Sequence, residues 1–531
     1  MQRSSRHGRL ATAVGRVALP NWRVGCPVLV CLVLVWGAGC GARGPSSAAR
    51  PVAAVVEDQA SAAATDPASR AAIRKFCGDC HALPDPGSFP REDWPREVRQ
   101  GYVFYERSLR SDLPRPPEGE AVRFFQAAAP EALVIDRACD RVETPAPVRF
   151  EPLPLPATAN VVDPAVAHVR WDADERAFST SDMRSGEVRR WRRGDDGWES
   201  DLVARAAHAC RLTPVAMPGA PTAGWLLADL GSFHVVDHDR GRVLRIGPTG
   251  AVETLLDGVS RVVEAQPWPE GGIVVAEFGW RDTGALRLVP AGGGAGTILD
   301  PRHGALGVRV ADLDADGQAD IVAAFAQEHE TVDAWWGSAG GEPVHETIHR
   351  FPDPSWGSSG IDLADVDADG RIDILHVNGD MMDSGLAKPV HGVRWLRNTG
   401  GRRFECREIM RIPAAAQAAA ADLDGDGDLD IVVSALHPRA ADSPPGTFAA
   451  LTWLEQLPDG DFAPHTIALD TCDHAAFALG DVDGDARTDI IAGVWRSEER
   501  GPSEAPIRVY LNRRSAPAAG EGVASAKGAG A

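Results

Sequence analysis

The chain is poor in positive charge: 54 lysines and arginines face 75 aspartates and glutamates in 531 residues, a formal net charge of −21. That balance argues against a nucleic-acid binder, which needs a basic face for phosphate, and against a basic membrane-binding surface. No Ser-His-Asp order, phosphate loop or zinc-protease signature occurs, so hydrolase chemistry has nothing to rest on. The apolar run at residues 28–36 is too short to span a bilayer; it follows Arg3, Arg6, Arg9, Arg16 and Arg23, the layout of an export signal. Methionine is missing between Met1 and Met183, and histidine between His81 and His168.

Aspartate, by contrast, recurs in one phrase four times. The copies place carboxylates at Asp312, Asp314, Asp316 and Asp320; at Asp365, Asp367, Asp369 and Asp373; at Asp422, Asp424, Asp426 and Asp430; and at Asp481, Asp483, Asp485 and Asp489. Acids at positions one, three, five and nine, with glycine at six for the sharp turn, form a hard-oxygen cage for Ca²⁺, so up to four calcium ions are expected. An EF-hand is excluded, because its position-twelve glutamate is replaced by Ala323, His376, Val433 and Ala492. β-branched runs follow each phrase where an EF-hand needs a helix, so each loop should join two strands. The fourth copy has Ala486 in place of glycine, which predicts the weakest site there. The ion is expected to staple crowded carboxylates, with a regulatory or ligand-bridging role as the alternative.

The phrases start 53, 57 and 59 residues apart, and a third strand with an aromatic (Trp335, Trp395, Trp453 or Tyr510) follows each pair. In these features residues 160–513 resemble the FG-GAP or VCBS repeat proteins, including the calcium-loaded propeller of integrin α chains. Upstream, segments 167–171 with 187–191, 225–230 with 233–236 and 242–244, and 273–278 with 285–289 look like three degenerate blades. The expected fold is mainly β, a seven-bladed β-propeller, with six or eight blades as the alternatives, preceded by a small three-helix cytochrome c-like domain.

The helical segment carries Cys77-Gly78-Asp79-Cys80-His81, the attachment spacing of a c-type haem: two thiols add across the vinyl groups and the adjoining histidine ligates iron. Helices are predicted over 71–81, over 91–109 with Trp94, Val98, Tyr102, Tyr105 and Leu109 on one face, and over 118–128 with Val122 and Phe125. This set resembles a compact class I cytochrome c. The strings at 80–86, 89–94 and 388–392 are similar to those of bacterial VCBS-repeat proteins with an N-terminal CxxCH segment. The resemblance implies one haem c on Cys77, Cys80 and His81 and a protein redox partner. The missing methionine and histidine exclude a local His/Met haem, leaving a five-coordinate or water-ligated iron, Tyr102, Tyr105 or Lys75, or a cap by His168 or Met183. A CxxC disulfide, or a metal site with Cys139, are the alternatives.

Small residues 37–39 before Cys40 resemble a bacterial lipoprotein cleavage site, implying a lipidated Cys40 and an exported, periplasmic or cell-envelope protein that meets the membrane only through that anchor. Ordinary signal-peptidase cleavage is the alternative. The expected organisation is export signal 1–40, flexible tether 41–66, helical domain 67–138, proline-rich linker 139–160, propeller 161–513 and disordered tail 514–531. Cys139, Cys210, Cys406 and Cys472 could pair in three ways. A polar insert at 376–391 brings Asp380, Lys388 and His391; with His303 and His474, and with Trp356 and Asp473 nearby, these should approach one axial rim, opposite the calcium loops, fit for a ligand, a metal or a partner domain. Two readings follow: an exported haem c electron-transfer protein, or a non-redox calcium-binding propeller for surface binding or adhesion. An oxidase or dehydrogenase using the rim is a third, without a cofactor signature of its own.

Overall fold

The β-branched runs behind the aspartate phrases become strands buried at every position: Asp320–Phe325, Asp373–Asn378, Asp430–Ala435 and Asp489–Gly493. A strand hidden on both faces must have a sheet stacked on each side, which a ring of radial blades provides. The computed structural model describes residues 66–138, 146–153, 163–194, 197–215, 224–382, 384–496 and 505–514. The export signal, Cys40, nearly all of the tether, Cys139 and the tail beyond 514 lie outside the described residues.

Among the described residues, seven four-stranded antiparallel sheets follow one another as blades. Blades one to six run from Val166 to Arg205, Ala209 to Val259, Val262 to Asp300, Ala305 to Arg350, Ser358 to Arg411 and Ala415 to Leu469. Blade seven takes three strands from the C-terminal end, Phe477–Gly480, Asp489–Gly493 and Ile507–Arg514, and its fourth from Val148–Leu153, with Phe150 paired to Asn512. The segment expected to be a linker therefore closes the ring. In blade two, residues 233–236 lie in the connection between Gly224–Asp229 and Gly241–Ile246 instead of forming a strand.

The recurring aromatics fill the space between blades. Trp453 of blade six packs with Phe477, Ile490 and Tyr510 of blade seven and Val148 of the closing strand. Trp335 of blade four meets Trp268 and Val274 of blade three.

Three α-helices among the described residues precede the ring: α1 (Pro67–Cys77), α2 (Trp94–Arg107) and α3 (Glu118–Gln126). Asp66 caps α1 by accepting from the Ala68 and Ser69 amides, so the helix starts earlier than its apolar pattern suggests. It stops at Cys77, where the Gly78 amide closes on the Arg74 carbonyl, so Cys80 and His81 leave the helix. Trp94 and Phe125 stack at 4.1 Å, and Ile73, Phe76, Val98 and Tyr102 complete a small core. Among the described residues Cys77, Cys80, Cys210 and Cys406 are free thiols, so Cys210 and Cys406 do not pair with each other there.

Closure by Val148–Leu153 predicts that a chain cut to residues 142–514 melts as one unit. A chain starting at 161 should lose roughly 3 kcal/mol or more of stability through the exposed seam of blade seven; equal urea midpoints would contradict it.

Candidate functional site

Each aspartate loop joins the innermost strand of its blade to the second, with Ala311 opposite Asp320, Ala364 opposite Asp373, Ala421 opposite Asp430 and Gly480 opposite Asp489. The position-one carboxylate organises the turn. Asp312 accepts from the amides of Asp316 at 3.1 Å and Gly317 at 3.0 Å, and Asp365 and Asp481 repeat the pattern, whereas Asp422 accepts from Gly425 at 2.7 Å and Gly427 at 3.2 Å. Ligand oxygens converge within 4.8 Å in the groups Asp312, Asp314, Asp316; Asp365, Asp367, Asp373; Asp422, Asp424, Asp430; and Asp481, Asp483, Asp489.

The ninth aspartate has a second task that sequence reasoning missed. Asp320, Asp373, Asp430 and Asp489 are buried, each with one oxygen accepting the position-two amide (Leu313, Val366, Leu423 or Val482). The other oxygen accepts an amide at the end of the third strand: Gly337 at 2.7 Å, Asn398 at 2.7 Å, Gln456 at 2.9 Å and Asn512 at 2.7 Å. Burial pushes the pKa of Asp430 up to about 7 and of Asp489 to about 6, with the amide donors opposing it. Asn398 and Asn512 add ties between blades, donating to Leu313 O (2.8 Å) and Leu423 O (2.6 Å) of the preceding loops.

The loops differ in ways that change the expectation for the fourth. Positions four and six are both left-handed, and one of the two is alanine in three loops: Ala315 (φ 60°), Ala368 (φ 53°) and Ala486 (φ 64°). Only blade six has glycine at both, Gly425 and Gly427. Strain is therefore shared by the loops of blades four, five and seven, and Ala486 does not set the fourth apart. In those same three loops an arginine neutralises the position-three acid: Arg402 on Asp314 (2.7 Å), Arg397 on Asp367 (2.5 Å) and Arg513 on Asp483 (2.7 Å). Asp424 makes no ion pair among the described residues; burial pushes its pKa up, with Asp426, Glu455 and Asp422 adding to the shift. Blade six thus has the least strain, no arginine to displace and the strongest demand for a cation.

The five rim residues divide into separate environments. Lys388 is buried, its Nζ bonded to the Ser355 carbonyl and 4.6 Å from the Phe89 ring of the helical head. His391 is buried beside it, accepting the Lys388 amide at Nδ1, and burial pulls its pKa down to about 3. Asp380 stays exposed and accepts the Met382 amide. His474 lies in the interior of blade seven, with Nδ1 2.9 Å from Gly493 O and Nε2 3.4 Å from the Tyr510 hydroxyl. Nearby Asp473 is held by Arg508 and Arg496. His303 pairs with Glu328 at 3.0 Å.

The head occupies part of this rim. Asp353 accepts from the Asp85 amide (2.8 Å) and the Ser88 hydroxyl (2.5 Å), Leu386 packs on the head's core, and Arg281 lies 4.3 Å from the Phe104 ring. The polar insert packs against the chain's own N-terminal head.

On the head, Cys77 is part-buried against the helical core and Cys80 is exposed, with Arg110 Nη1 3.2 Å from its sulfur. His81 Nδ1 lies 2.7 Å from the Ala82 carbonyl. The hydroxyls of Tyr102 and Tyr105 are engaged by Pro116 O and by Leu113, and His168 sits inside the propeller accepting the Leu212 amide.

The model of the FG-GAP-like repeat family matches residues 312–376, from the aspartate loop of blade four through the second strand of blade five. The chain is a seven-bladed β-propeller bearing an FG-GAP-like repeat. No curated protein matches its sequence. Among solved structures it is similar to the WD40 β-propeller domain of Doa1, at 13% identity and TM-score 0.41 over 68% of this chain and 97% of that one. A gluconolactonase from Xanthomonas campestris is similar at 12% identity and TM-score 0.35 over 56% of this chain and 96% of that one. For a nidogen/laminin complex the values are 10%, 0.32, 46% and 81%.

In chelator, Asp430→Ala should cost about 2 kcal/mol, because the Leu423 and Gln456 amides lose their acceptor. Asp424→Ala should leave chelated stability unchanged or raised, while abolishing the blade-six calcium equivalent in calorimetry. Equal losses for the two variants in chelator would refute the latch role of the ninth aspartate. Ala315→Gly, Ala368→Gly and Ala486→Gly should each stabilise by about 1 kcal/mol in chemical denaturation, by relieving left-handed strain.

Proposed function

We propose that the chain is an exported, calcium-stapled binding propeller whose helical head carries a covalently attached c-type haem and exchanges electrons with a protein partner. The observation that carries the haem is the free Cys77 and Cys80 thiols beside a His81 whose Nδ1 faces the Ala82 carbonyl at 2.7 Å. A carbonyl at that distance keeps the proton on Nδ1 and leaves Nε2 as the ligating nitrogen, the second-shell arrangement that metal-bound histidines use. The donor set therefore fits the group: Cys77 and Cys80 would hold it through thioethers and His81 would ligate the iron. When bound, the haem supplies one-electron chemistry. The hydroxyls of Tyr102 and Tyr105 and the ring of His168 are already engaged by Pro116 O, Leu113 and the Leu212 amide, so none of the three is free to bind the iron.

Calcium is supported by the four convergent carboxylate groups, with the ions stapling loops that would otherwise crowd like charges. Export and a lipid anchor at Cys40 rest on the basic, apolar and small-residue order of the first forty residues. Among the described residues no helix is long and apolar enough to cross a membrane.

A non-redox binding or adhesion module is the second reading, favoured by the packing of Phe76 between Tyr102 (5.1 Å) and Tyr105 (4.8 Å), which fills the head's core with side chains. A pyridine haemochrome spectrum decides between them, taken on the mature chain from an exporting host with cytochrome c maturation active. A c-type α-band that disappears in Cys77→Ser/Cys80→Ser is expected. A colourless protein under those conditions removes the redox reading and leaves the binding module.

A further inference from the structure

We propose that His303, Glu328 and His329 form a binding site for one divalent transition-metal ion of the zinc class on the propeller rim. The three residues come from two connections that the fold brings together. His303 lies on the passage from blade three to the innermost strand of blade four, Ala305–Ala311; Glu328 and His329 lie on the turn between Asp320–Phe325 and Thr331–Trp336. One ligand atom from each residue falls within 4.8 Å of the others. His303 Nε2 is 3.0 Å from Glu328 Oε2, and the two imidazole rings are 5.0 Å apart at 52°.

The observation that points to a ligand is His329 Nε2, a buried nitrogen with no hydrogen-bond partner. A buried polar atom left unpaired opposes folding, and a metal ion would supply the missing partner. Two imidazoles and one carboxylate suit zinc-class ions, whereas the aspartate loops offer oxygen alone and suit calcium. Three protein ligands leave a tetrahedral ion one position for water or for an anionic or carbonyl ligand. The site also borders the seam with the head. A side chain at Gly284 would come within 2.4 Å of His303 Cα, and Gly284 closes the loop from which Arg281 reaches Phe104. Occupancy at His303 would therefore stiffen a wall of that seam.

The test is a Co²⁺ titration of the full-length protein in excess Ca²⁺, read by visible d–d absorption and repeated by calorimetry with Zn²⁺. One ion per chain is expected. Glu328→Gln and His303→Gln should each weaken it by at least ~10-fold, while Cys77→Ser/Cys80→Ser leaves it intact. Glu328 is part-exposed, so its variant should keep the fold, and circular dichroism checks this. Absence of the Co²⁺ band overturns the proposal. So does binding that survives both rim variants, or binding that is lost only with the thiols. The outcome is independent of the haem reading, since a colourless chain can still bind the ion.

Discussion

The ninth aspartate of each repeat is the contact on which the aspartate loops depend. A buried carboxylate needs donors for both oxygens. Asp320, Asp373, Asp430 and Asp489 find them at opposite ends of the structure they join, the loop's own second amide and the end of the third strand. The inner hairpin and the third strand are thereby held in one register, and the outer acids of the loop are presented together. Asn398 and Asn512 extend the same tie to the preceding blade, so the loops of blades four and five, and of six and seven, are coupled through backbone carbonyls.

Charge is managed unevenly around the ring. Arg402, Arg397 and Arg513 place guanidinium groups on the third-position acids of blades four, five and seven, so the charge of those acids is answered locally. Blade six relies on glycine at both left-handed positions and on acids alone. A cation, as proposed, would add to an existing ion pair in three loops and be the main counter-charge in the fourth.

The opposite face is governed by docking. Lys388 is buried, and the acids Asp353, Glu330, Glu97 and Asp380 oppose the fall in its pKa that burial causes. Glu97 belongs to α2, so the charge balance of the seam draws on both domains. The insert that carries Lys388 holds the head, and the rim histidines are left in three separate surroundings: His391 under the head, His474 inside blade seven, and His303 beside Glu328.

How much of this was legible depends on the range of the interactions. The aspartate phrase, its β-branched flanks and the recurring aromatic are local, so the propeller and the four loops could be read from the chain, while the choice of seven blades over six or eight came from the sheets themselves. The helices were legible from their apolar faces, and their ends shifted with caps at Asp66 and Gly78. Val148–Leu153 was not legible, because its partner strand Ile507–Arg514 lies at the other end of the chain and proline nearby reads as linker. The latch at position nine was invisible because an acid that binds metal and an acid that binds amides look alike in sequence. The sequence by itself determined which residue types stand in each loop, turn and thiol motif, because those follow from spacing along the backbone. Only the tertiary structure decided which blade lacks its arginine, which rim residues meet the head, and that His303 faces Glu328 and His329, because each depends on segments that meet only when the ring closes.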